Sequence, residues 1–398
     1  MREWIKATYL VAAEAPFDAE KKAKAIALGQ TTDTWTPVAR HDQDRLERHR
    51  GAVLSASPVA QQSGLHTATL TIGFPPENTQ GDIATLLVMV FGKVSLDGRI
   101  KLIDLELPPS FLSRLPGPRV GVPGVRKALG VDKRPLAMAI FKPCVGLPSE
   151  ELAKMFRETA LGGIDIVKDD EILPDLDICP TEQRLEAIQR AAAEVKRQTG
   201  HATLYAVNLT GPSSKIVERA RALVAQGANC LLFNVLAFGY GALEELARDP
   251  KVGVPIMAHP ALAGAMGSSP HHGIAHKIIL GTLMRVGGAD IVLFPSSYGT
   301  VALPKPDTDG IRDALTKPAG HLKAVFPTPS AGIHPGLVPQ ILADYGSDVI
   351  VNAGGGVFGH PKGAMAGAKA IRQAIDLATG ASKEKPPELA EALQAWGR

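Results

Sequence analysis

The chain has 398 residues, 45% of them hydrophobic and 21% charged, a composition typical of a globular protein with room for two domains. Its formal net charge of +3, without a long basic run, argues against a nucleic-acid partner, and no apolar run is long enough to predict a membrane span or a secretory signal. Three widely spaced cysteines fit a reducing environment, so we expect a cytoplasmic protein without a disulfide framework.

Residues 1–115 mix strand-like and helical patterns without a regular alternation of the two. Apolar or alternating runs predict strands at 5–11, 67–73 and 100–107, and helical periodicity predicts helices at 17–28 and 83–91. This mixture predicts an α+β domain of the ferredoxin-like type, built on an antiparallel sheet. Glycines and prolines in residues 116–135 predict a linker.

Residues 136–398 alternate regularly between short apolar runs and helical patterns. The apolar runs lie at residues 136–141, 164–167, 203–207, 230–235, 254–258, 291–294, 325–327 and 349–351. Helical patterns include residues 150–160, 181–199, 214–225, 274–286 and 362–378. This alternation predicts an α/β fold, a (β/α)8 TIM barrel with C-terminal helices, whose chemistry takes place at the carboxyl ends of the strands.

The second predicted barrel strand ends in one lysine and three carboxylates, Lys168-Asp169-Asp170-Glu171. Because side chains alternate along a strand, Lys168 and Asp170 share one face and Asp169 points the other way. A lysine beside two carboxylates can be a simple ion pair. At a strand end it can also react with CO2 to give a carbamate, an oxygen ligand that would hold Mg²⁺ together with Asp170 and Glu171. The residues alone leave both interpretations open.

Glycine-rich loops follow the last two predicted strands, with Ser330 and Gly332 in one and Gly354, Gly355 and Gly356 in the other. Loops at these places in a barrel commonly bind phosphate, because glycines let backbone N–H groups approach an anion. A plain turn is the alternative.

Other strands also end in polar residues: Lys142, Asn208, Asn234 and His259. From the residues alone, Lys142 could form an ion pair with Asp170 or Glu171, and His259 could be a core histidine. His271, His272 and His276 form a local cluster, but no carboxylate or cysteine lies near it in sequence, so we do not expect a metal there.

Residues 163–171 resemble the metal-site segment of the RuBisCO large-chain superfamily, in which the lysine is carbamylated. Four more segments resemble that superfamily in the same order along the chain: Phe141-Lys142-Pro143, Asn208-Leu209-Thr210, Ser330-Ala331-Gly332, and Gly354-Gly355-Gly356 with Gly359-His360-Pro361. The resemblance covers essentially the whole chain.

This resemblance implies cofactors and roles for individual residues. Mg²⁺ would be held by carbamylated Lys168, Asp170 and Glu171, with CO2 supplying the carbamate. Lys142 would contact the reacting carbonyl oxygens of the substrate, and His259 would lie near its hydroxyl groups. The serine and first two glycines of the phosphate loops, Ser330, Gly354 and Gly355, would bind the C1 phosphate.

Several positions depart from carboxylating members of the superfamily. The loop after strand six, residues 294–303, contains no lysine, and the arginine that binds a second phosphate is replaced by Pro260. The strand-six histidine is lost in Phe294-Pro295. The glutamate and asparagine that carboxylases take from a partner subunit correspond to Gly29 and Met89. We therefore expect a RuBisCO-like protein that does not fix CO2.

Residues 91–98, His259-Pro260-Ala261 and residues 333–339 resemble the enolase branch of methionine salvage, an isomerase group among the RuBisCO-like proteins. That branch tautomerises 2,3-diketo-5-methylthiopentyl-1-phosphate, and its general base corresponds to Lys93, which by sequence alone would be an exposed loop lysine. Since Lys93 lies in the domain that caps the partner's barrel in the family, the resemblance implies at least a homodimer. The alternatives are a RuBisCO-like isomerase acting on a methylthioribulose phosphate, or a non-catalytic phosphometabolite-binding protein.

Overall fold

The computed structural model describes residues 2–34, 36 and 43–397. Its N-terminal part contains β1 (Ile5–Ala13), α1 (Ala19–Gly29), α2 (Gln43–His49), β2 (Ala52–Ala56), β3 (Ala60–Gln62), β4 (Leu65–Phe74), α3 (Ile83–Leu87) and β5 (Arg99–Glu106). A π-helical turn (Val88–Gly92) and a 3₁₀ turn (Lys93–Leu96) follow α3.

The N-terminal strands form an antiparallel sheet in the order β5-β1-β4-β2, with β3 paired to β4. With α1 between β1 and β2 and α3 between β4 and β5, this is the predicted ferredoxin-like arrangement. The sequence of β1 explains its place at the centre, because Ile5, Ala7, Tyr9 and Val11 alternate along one buried face. Asp18 caps α1 by accepting a 3.0 Å hydrogen bond from Lys21 N.

Two helices, α4 (Pro109–Leu112) and α5 (Gly121–Leu129), connect the sheet to the barrel. α5 lies within the predicted linker and ends at Gly130, whose φ of 66° is left-handed. Val122 and Val125 of α5 pack against Leu136 and Ile350, the first residues of two barrel strands. This helix therefore closes the amino end of the barrel.

The remaining strands are β6 (Leu136–Ile140), β7 (Ile166–Lys168), β8 (Leu204–Asn208), β9 (Cys230–Phe233), β10 (Ile256–Ala258), β11 (Gly273–Ile274), β12 (Ile291–Pro295), β13 (Phe326–Ser330) and β14 (Ile350–Ala353). The helices are α6 (Ser149–Leu161), α7 (Thr181–Thr199), α8 (Ile216–Ala225), α9 (Val235–Phe238), α10 (Tyr240–Arg248), α11 (Ala263–Gly267), α12 (Leu283–Gly287), α13 (Lys305–Thr316), α14 (Val338–Tyr345), α15 (Gly355–Phe358), α16 (Ala364–Ala378) and α17 (Pro387–Trp396). Among the described residues, no helix combines the length and apolar character needed to cross a membrane.

Eight of these strands form a parallel sheet in the order β13-β12-β10-β9-β8-β7-β6-β14. The two end strands lie side by side, and Asn352 Nδ2 on β14 donates a 2.7 Å hydrogen bond to Ser330 Oγ on β13. The sheet thus closes into the predicted (β/α)8 barrel, with each strand at a predicted apolar run. Parallel strands bring their carboxyl ends to one rim, which positions the candidate site.

β11 does not belong to the barrel, and the sequence pattern had predicted helix there. Gly273 and Ile274 instead pair in parallel with β5 of the N-terminal sheet. The neighbouring histidines lie at the same junction, since His272 Nδ1 is 3.0 Å from Gly98 O and His276 Nδ1 is 3.1 Å from Asp307 Oδ2. The loop after β10 therefore fastens the N-terminal domain to the barrel.

Candidate active site

A cavity of about 770 Å³ opens at the carboxyl end of the barrel strands. It brings together most of the residues that the sequence singled out: Lys142, Asp170, Glu171, His259, Ser330, Gly354 and Gly355. Lys168 lies behind its wall, with Nζ 3.6 Å from Glu171 Oε2. Lys93 is not among the residues that line it.

Lys168 is the last residue of β7, and its side chain is fully buried. Its Nζ donates a 2.7 Å hydrogen bond to the backbone oxygen of Asp169. Burial lowers the pKa of the Lys168 ammonium, against the opposing charges of Glu171 and Asp170. A lowered pKa favours the neutral amine, and a neutral amine is the form that attacks CO2.

Asp170 and Lys142 form a close ion pair, with Asp170 Oδ2 2.7 Å from Lys142 Nζ. Lys142 Nζ also lies 3.0 Å from Cys144 Sγ. Burial alone would raise the pKa of Asp170, but hydrogen bonds from Lys142 and Cys144 and the charge of Lys168 together lower it to about 2. Burial disfavours the charged form of Lys142, but its hydrogen bonds with Asp170 and Cys144 raise its pKa. The ion-pair alternative for Lys142 is thus realised here, at the wall of the cavity.

His259 follows β10 and faces Glu171, with Nε2 3.2 Å from Glu171 Oε2. Its Nδ1 accepts a 3.2 Å hydrogen bond from the backbone N–H of Ala261. Burial, reinforced by the charge of Lys168, lowers the pKa of His259 to about 3. The imidazole is therefore neutral, with its proton on Nε2 towards Glu171, and the contact is not an ion pair.

Asp169 points away from the cavity, as the strand alternation predicts. Its carboxylate accepts hydrogen bonds from Arg184 Nη2 at 3.1 Å, Tyr205 OH at 2.5 Å and Asn208 N at 2.9 Å. Asn208 Nδ2 also donates to Glu171 O at 3.0 Å. This buried network fixes the end of β7 and so holds the neighbouring side chains towards the cavity. Arg184 could not be identified from the sequence, because its contact with Asp169 depends on how α7 packs.

The loops after β13 and β14 meet at one end of the cavity. Ser330 Oγ donates a 2.9 Å hydrogen bond to Thr328 O and accepts one from Asn352. A Cβ at Gly356 would lie 2.4 Å from Ile333 O, so only glycine lets the two loops lie against each other.

The backbone of these loops is open where an anion would bind. An added Cβ at Gly355 would meet no atom within 4 Å, so this backbone is accessible from the cavity. The helical turn that follows, α15, is only four residues long. An anion at this end of the cavity would therefore be bound mainly by backbone N–H groups and less by a helix dipole.

The other walls of the cavity are largely apolar, with Pro260, Leu293, Pro295 and Val301 among the lining residues. Lys142 is the only lysine or arginine among the described residues that line it. The cavity therefore presents one polar end and one end without positive charge.

Sequence reasoning assigned no role to the lining residues Asn352 and Trp396, nor to His334, which lies in the 333–339 segment that resembles the enolase branch. Asn352 interrupts the apolar run of β14, a signal that could have identified it. Trp396 ends a helix outside the barrel, and nothing in the local pattern predicts its position.

Lys93 lies in the N-terminal domain, exposed at the start of a 3₁₀ turn. It lines a separate cavity of about 540 Å³, together with residues of α1 such as Ile26 and Gly29. Within one chain, the structure does not bring Lys93 to the barrel cavity.

Mg²⁺ requires several oxygen ligands arranged around it. Among the described residues, no group of three or more His, Cys, Asp or Glu side chains is arranged to hold a metal. Asp170 and Glu171 supply two carboxylates, and the amine of Lys168 lies beside them. A carbamate on Lys168 would supply the missing oxygen ligand, so these residues fit a hard cation in the carbamylated state.

Comparison with known proteins identifies relatives over the whole chain. The family model described as the ribulose bisphosphate carboxylase large chain, catalytic domain, matches residues 121–396. The chain is 46% identical over 397 residues to the 2,3-diketo-5-methylthiopentyl-1-phosphate enolase of Bacillus licheniformis, covering 98% of each chain.

Two solved structures are also similar. A rubisco-like protein (MtnW) from Alicyclobacillus acidocaldarius superposes with a TM-score of 0.93 and 44% identity, covering 99% of this chain and 100% of the other. An octameric ribulose-1,5-bisphosphate carboxylase/oxygenase from Pyrococcus horikoshii gives a TM-score of 0.92 at 29% identity, covering 100% and 94%.

Proposed function

The chain belongs to the family of the ribulose bisphosphate carboxylase large chain, and within it we propose a 2,3-diketo-5-methylthiopentyl-1-phosphate enolase of methionine salvage. The reaction is a keto-enol tautomerisation, so the protein is an isomerase and does not fix CO2. Full-length relatives with this name, such as the enzyme from Bacillus licheniformis, support the proposal.

The observation that carries the proposal is the distribution of charge in the barrel cavity. Glycine-rich loops lie at one end, and Lys142 is the only lysine or arginine among its described lining residues. A bisphosphate needs two cationic or N–H-rich ends, whereas this cavity offers one beside apolar walls. A phosphorylated diketone with an uncharged methylthio tail matches that arrangement.

The position of each residue suggests its role in the reaction. Mg²⁺, held by carbamylated Lys168 with Asp170 and Glu171, would polarise the adjacent carbonyl groups and acidify the C1 proton. Lys93 removes that proton as the general base, and protonation of the carbonyl oxygen then gives the enol. Lys142 stabilises the negative charge that develops on the carbonyl oxygens.

The remaining predicted residues bind the substrate. Ser330 binds its phosphate through its hydroxyl group, redirected from Thr328 O, and Gly354 and Gly355 bind it through backbone N–H groups. His259, neutral and directed at Glu171, contacts the polar groups near the reacting carbons.

We propose a homodimer, or an assembly of dimers, as the active unit. Since Lys93 lies outside the barrel cavity of its own chain, a base at position 93 must come from a partner's N-terminal domain. The cytoplasm is the proposed compartment, supported by three cysteines that are all free.

Two other functions use the same cavity. An isomerase acting on a methylthioribulose phosphate would share the metal site but employ a different base. A non-catalytic phosphometabolite-binding protein would need no carbamate, and the buried amine of Lys168 beside two carboxylates favours catalysis over that alternative.

The deciding experiment is exchange of the C1 proton of the diketo phosphate in D2O. The purified protein is tested with Mg²⁺ and bicarbonate, with each alone, and with neither. The proposal predicts fast exchange when both are present. Absence of exchange under all four conditions would contradict it, and binding without exchange would favour the non-catalytic alternative.

A further inference from the structure

The C-terminal helix α17 contributes a residue to the substrate cavity from outside the barrel. Trp396 is the only described lining residue that lies outside the barrel strands and the loops that follow them. α17 is docked on α16, because Leu389 N donates to Gln373 Oε1 at 3.0 Å and Gln373 Nε2 donates to Glu388 Oε2 at 2.9 Å. Leu389 is also buried. Trp396 is thus placed by a packed helix.

The indole of Trp396 contacts two imidazoles. The ring centroids of His334 and His360 are each 6.3 Å from that of Trp396, at interplanar angles of 45° and 71°. His360 uses both ring nitrogens structurally: Nε2 donates to Glu388 O at 3.0 Å, and Nδ1 accepts from Lys362 N at 3.1 Å. It does not line the cavity.

His334 lines the cavity and has unused hydrogen-bonding capacity. Its Nδ1 is buried without a partner, and neither ring nitrogen bonds to any described residue. Burial lowers the pKa of His334, so the ring is neutral and one nitrogen is a donor. Because Nδ1 is enclosed, Nε2 is the ring nitrogen that a ligand in the cavity can reach, and a bound ligand would supply its missing hydrogen-bond partner.

His334 adjoins the phosphate loops. It follows Gly332 by two residues, and a Cβ at Gly356 would lie 2.9 Å from His334 Cα. The imidazole, the hydroxyl of Ser330 and the backbone of Gly354 and Gly355 therefore border the same end of the cavity.

We propose that His334 is a further ligand of the substrate's phosphate group, and that Trp396 is a positioning residue that holds this imidazole and covers the phosphate end of the cavity. The inference rests on the proposed function in placing a phosphate monoester at these loops. Because the phosphate takes no part in the proton transfer, the contact acts in the ground state and the transition state alike. Its loss should therefore raise KM and leave kcat nearly unchanged.

The test compares ring substitutions in the full-length protein. Inorganic phosphate and glycerol 1-phosphate are titrated by calorimetry, and KM and kcat are measured with the diketo phosphate. His334→Phe keeps a ring beside Trp396 but has no donor, and we expect Kd and KM to rise about tenfold, the usual worth of a hydrogen bond to a charged group. His334→Gln, which keeps a donor, should recover part of the affinity. Trp396→Ala should weaken binding, and Trp396→Phe should do so less.

His272→Phe is the control, since His272 contacts Gly98 O at the junction with the N-terminal sheet and lies outside the cavity lining. It should lower the melting temperature without changing the phosphate Kd of the folded protein. Unchanged Kd and KM in His334→Phe would overturn the inference. The proposed function is judged separately: a wild-type protein that binds phosphate but exchanges no C1 proton contradicts that function alone, and one that binds no phosphate contradicts both.

Discussion

Lys168 and Lys142 lie beside the neighbouring carboxylates Glu171 and Asp170, yet their pKa values shift in opposite directions, and burial explains the difference. Lys168 is fully enclosed, and burial lowers its pKa despite its acidic neighbours. The side chain of Lys142 is 39% exposed and 2.7 Å from Asp170 Oδ2, and its pKa is raised. One lysine is thus suited to react with CO2 as a neutral amine, and the other to remain a cation beside the reacting oxygens.

Replacing Lys168 tests the carbamate. Lys168→Met fills a similar volume but cannot form a carbamate, and we expect turnover to fall to background because the third oxygen ligand is lost. A ¹³C NMR signal from labelled bicarbonate should appear in the wild-type protein and vanish in the variant. Lys154→Met on the exposed surface of α6 is the control and should behave as wild type. Full activity of Lys168→Met without added ligand would exclude the carbamate.

At the residue scale, the sequence predicted the polar residues that directly follow an apolar strand. Lys142, Asp170 and His259 all follow such runs and reach the cavity. Trp396 and His334 could not be found in this way, because one comes from a distant helix and the other lies within an ordinary loop. Their positions depend on tertiary packing, which a local pattern does not contain.

Among the elements, the start of β7 is held by a buried carboxylate that has no part in the site. Asp165 accepts hydrogen bonds from Arg134 Nη1 at 2.7 Å and Ala137 N at 2.8 Å, and His201 Nε2 lies 3.3 Å away. Burial would raise the pKa of Asp165, but these partners lower it from 3.8 to about 2. A depression of this size corresponds to roughly 2 kcal/mol of stability.

The pH dependence of this stabilisation follows from the direction of the pKa shift of Asp165. Because the folded-state pKa is the lower one, the stabilisation is complete above the unfolded value of 3.8 and is lost as the pH falls through about 2. Asp165→Asn should therefore lower the free energy of unfolding by roughly 2 kcal/mol at neutral pH, with the difference shrinking below about pH 4. Urea unfolding across this range measures it. Asp313→Asn, at a surface ion pair, should change stability by less than about 0.5 kcal/mol, and equal losses in both variants would contradict the assignment.

A strand or helix can be predicted from the sequence when it is long enough to show a hydrophobic pattern. Each barrel strand coincides with an apolar run because both of its faces are buried. The helix predicted at 274–286 includes Ile274 of β11, since a two-residue strand carries no periodicity and its extended form depends on pairing with β5. The pattern predicts no helix at α5, because its proline and glycines obscure a helix that packing against the barrel end stabilises.

On the scale of the whole molecule, the loop after β12 separates this protein from carboxylating relatives. Thr300 N donates to Ala331 O at 3.2 Å, and Val301 lines the cavity. With no lysine in this loop and Pro260 beside His259, ribulose bisphosphate should not be carboxylated. Incorporation of labelled CO2 into an acid-stable product, with an archaeal RuBisCO as positive control, checks this. Incorporation above the no-enzyme blank would contradict it.

The arrangement of subunits is tested through Lys93, which lies outside the barrel cavity of its own chain. Lys93→Ala should lower kcat by a factor on the order of 10² to 10⁴, the usual worth of a positioned general base, with substrate binding nearly intact. Lys24→Ala, on the exposed face of α1, is the control and should be fully active.

Mixing two inactive variants then distinguishes a base from the partner from a base in the same chain. If Lys93 serves the partner's barrel, a hybrid dimer of Lys93→Ala and Lys168→Met chains has one complete site and one with both defects. Random reassociation of equal amounts makes about half of the dimers hybrid, so the mixture should regain about a quarter of wild-type activity. If Lys93 acted on its own barrel, every chain would remain defective. Unfolding and refolding the two variants together, with each refolded alone as the control, measures the difference, and no recovery in the mixture would rule out a shared site.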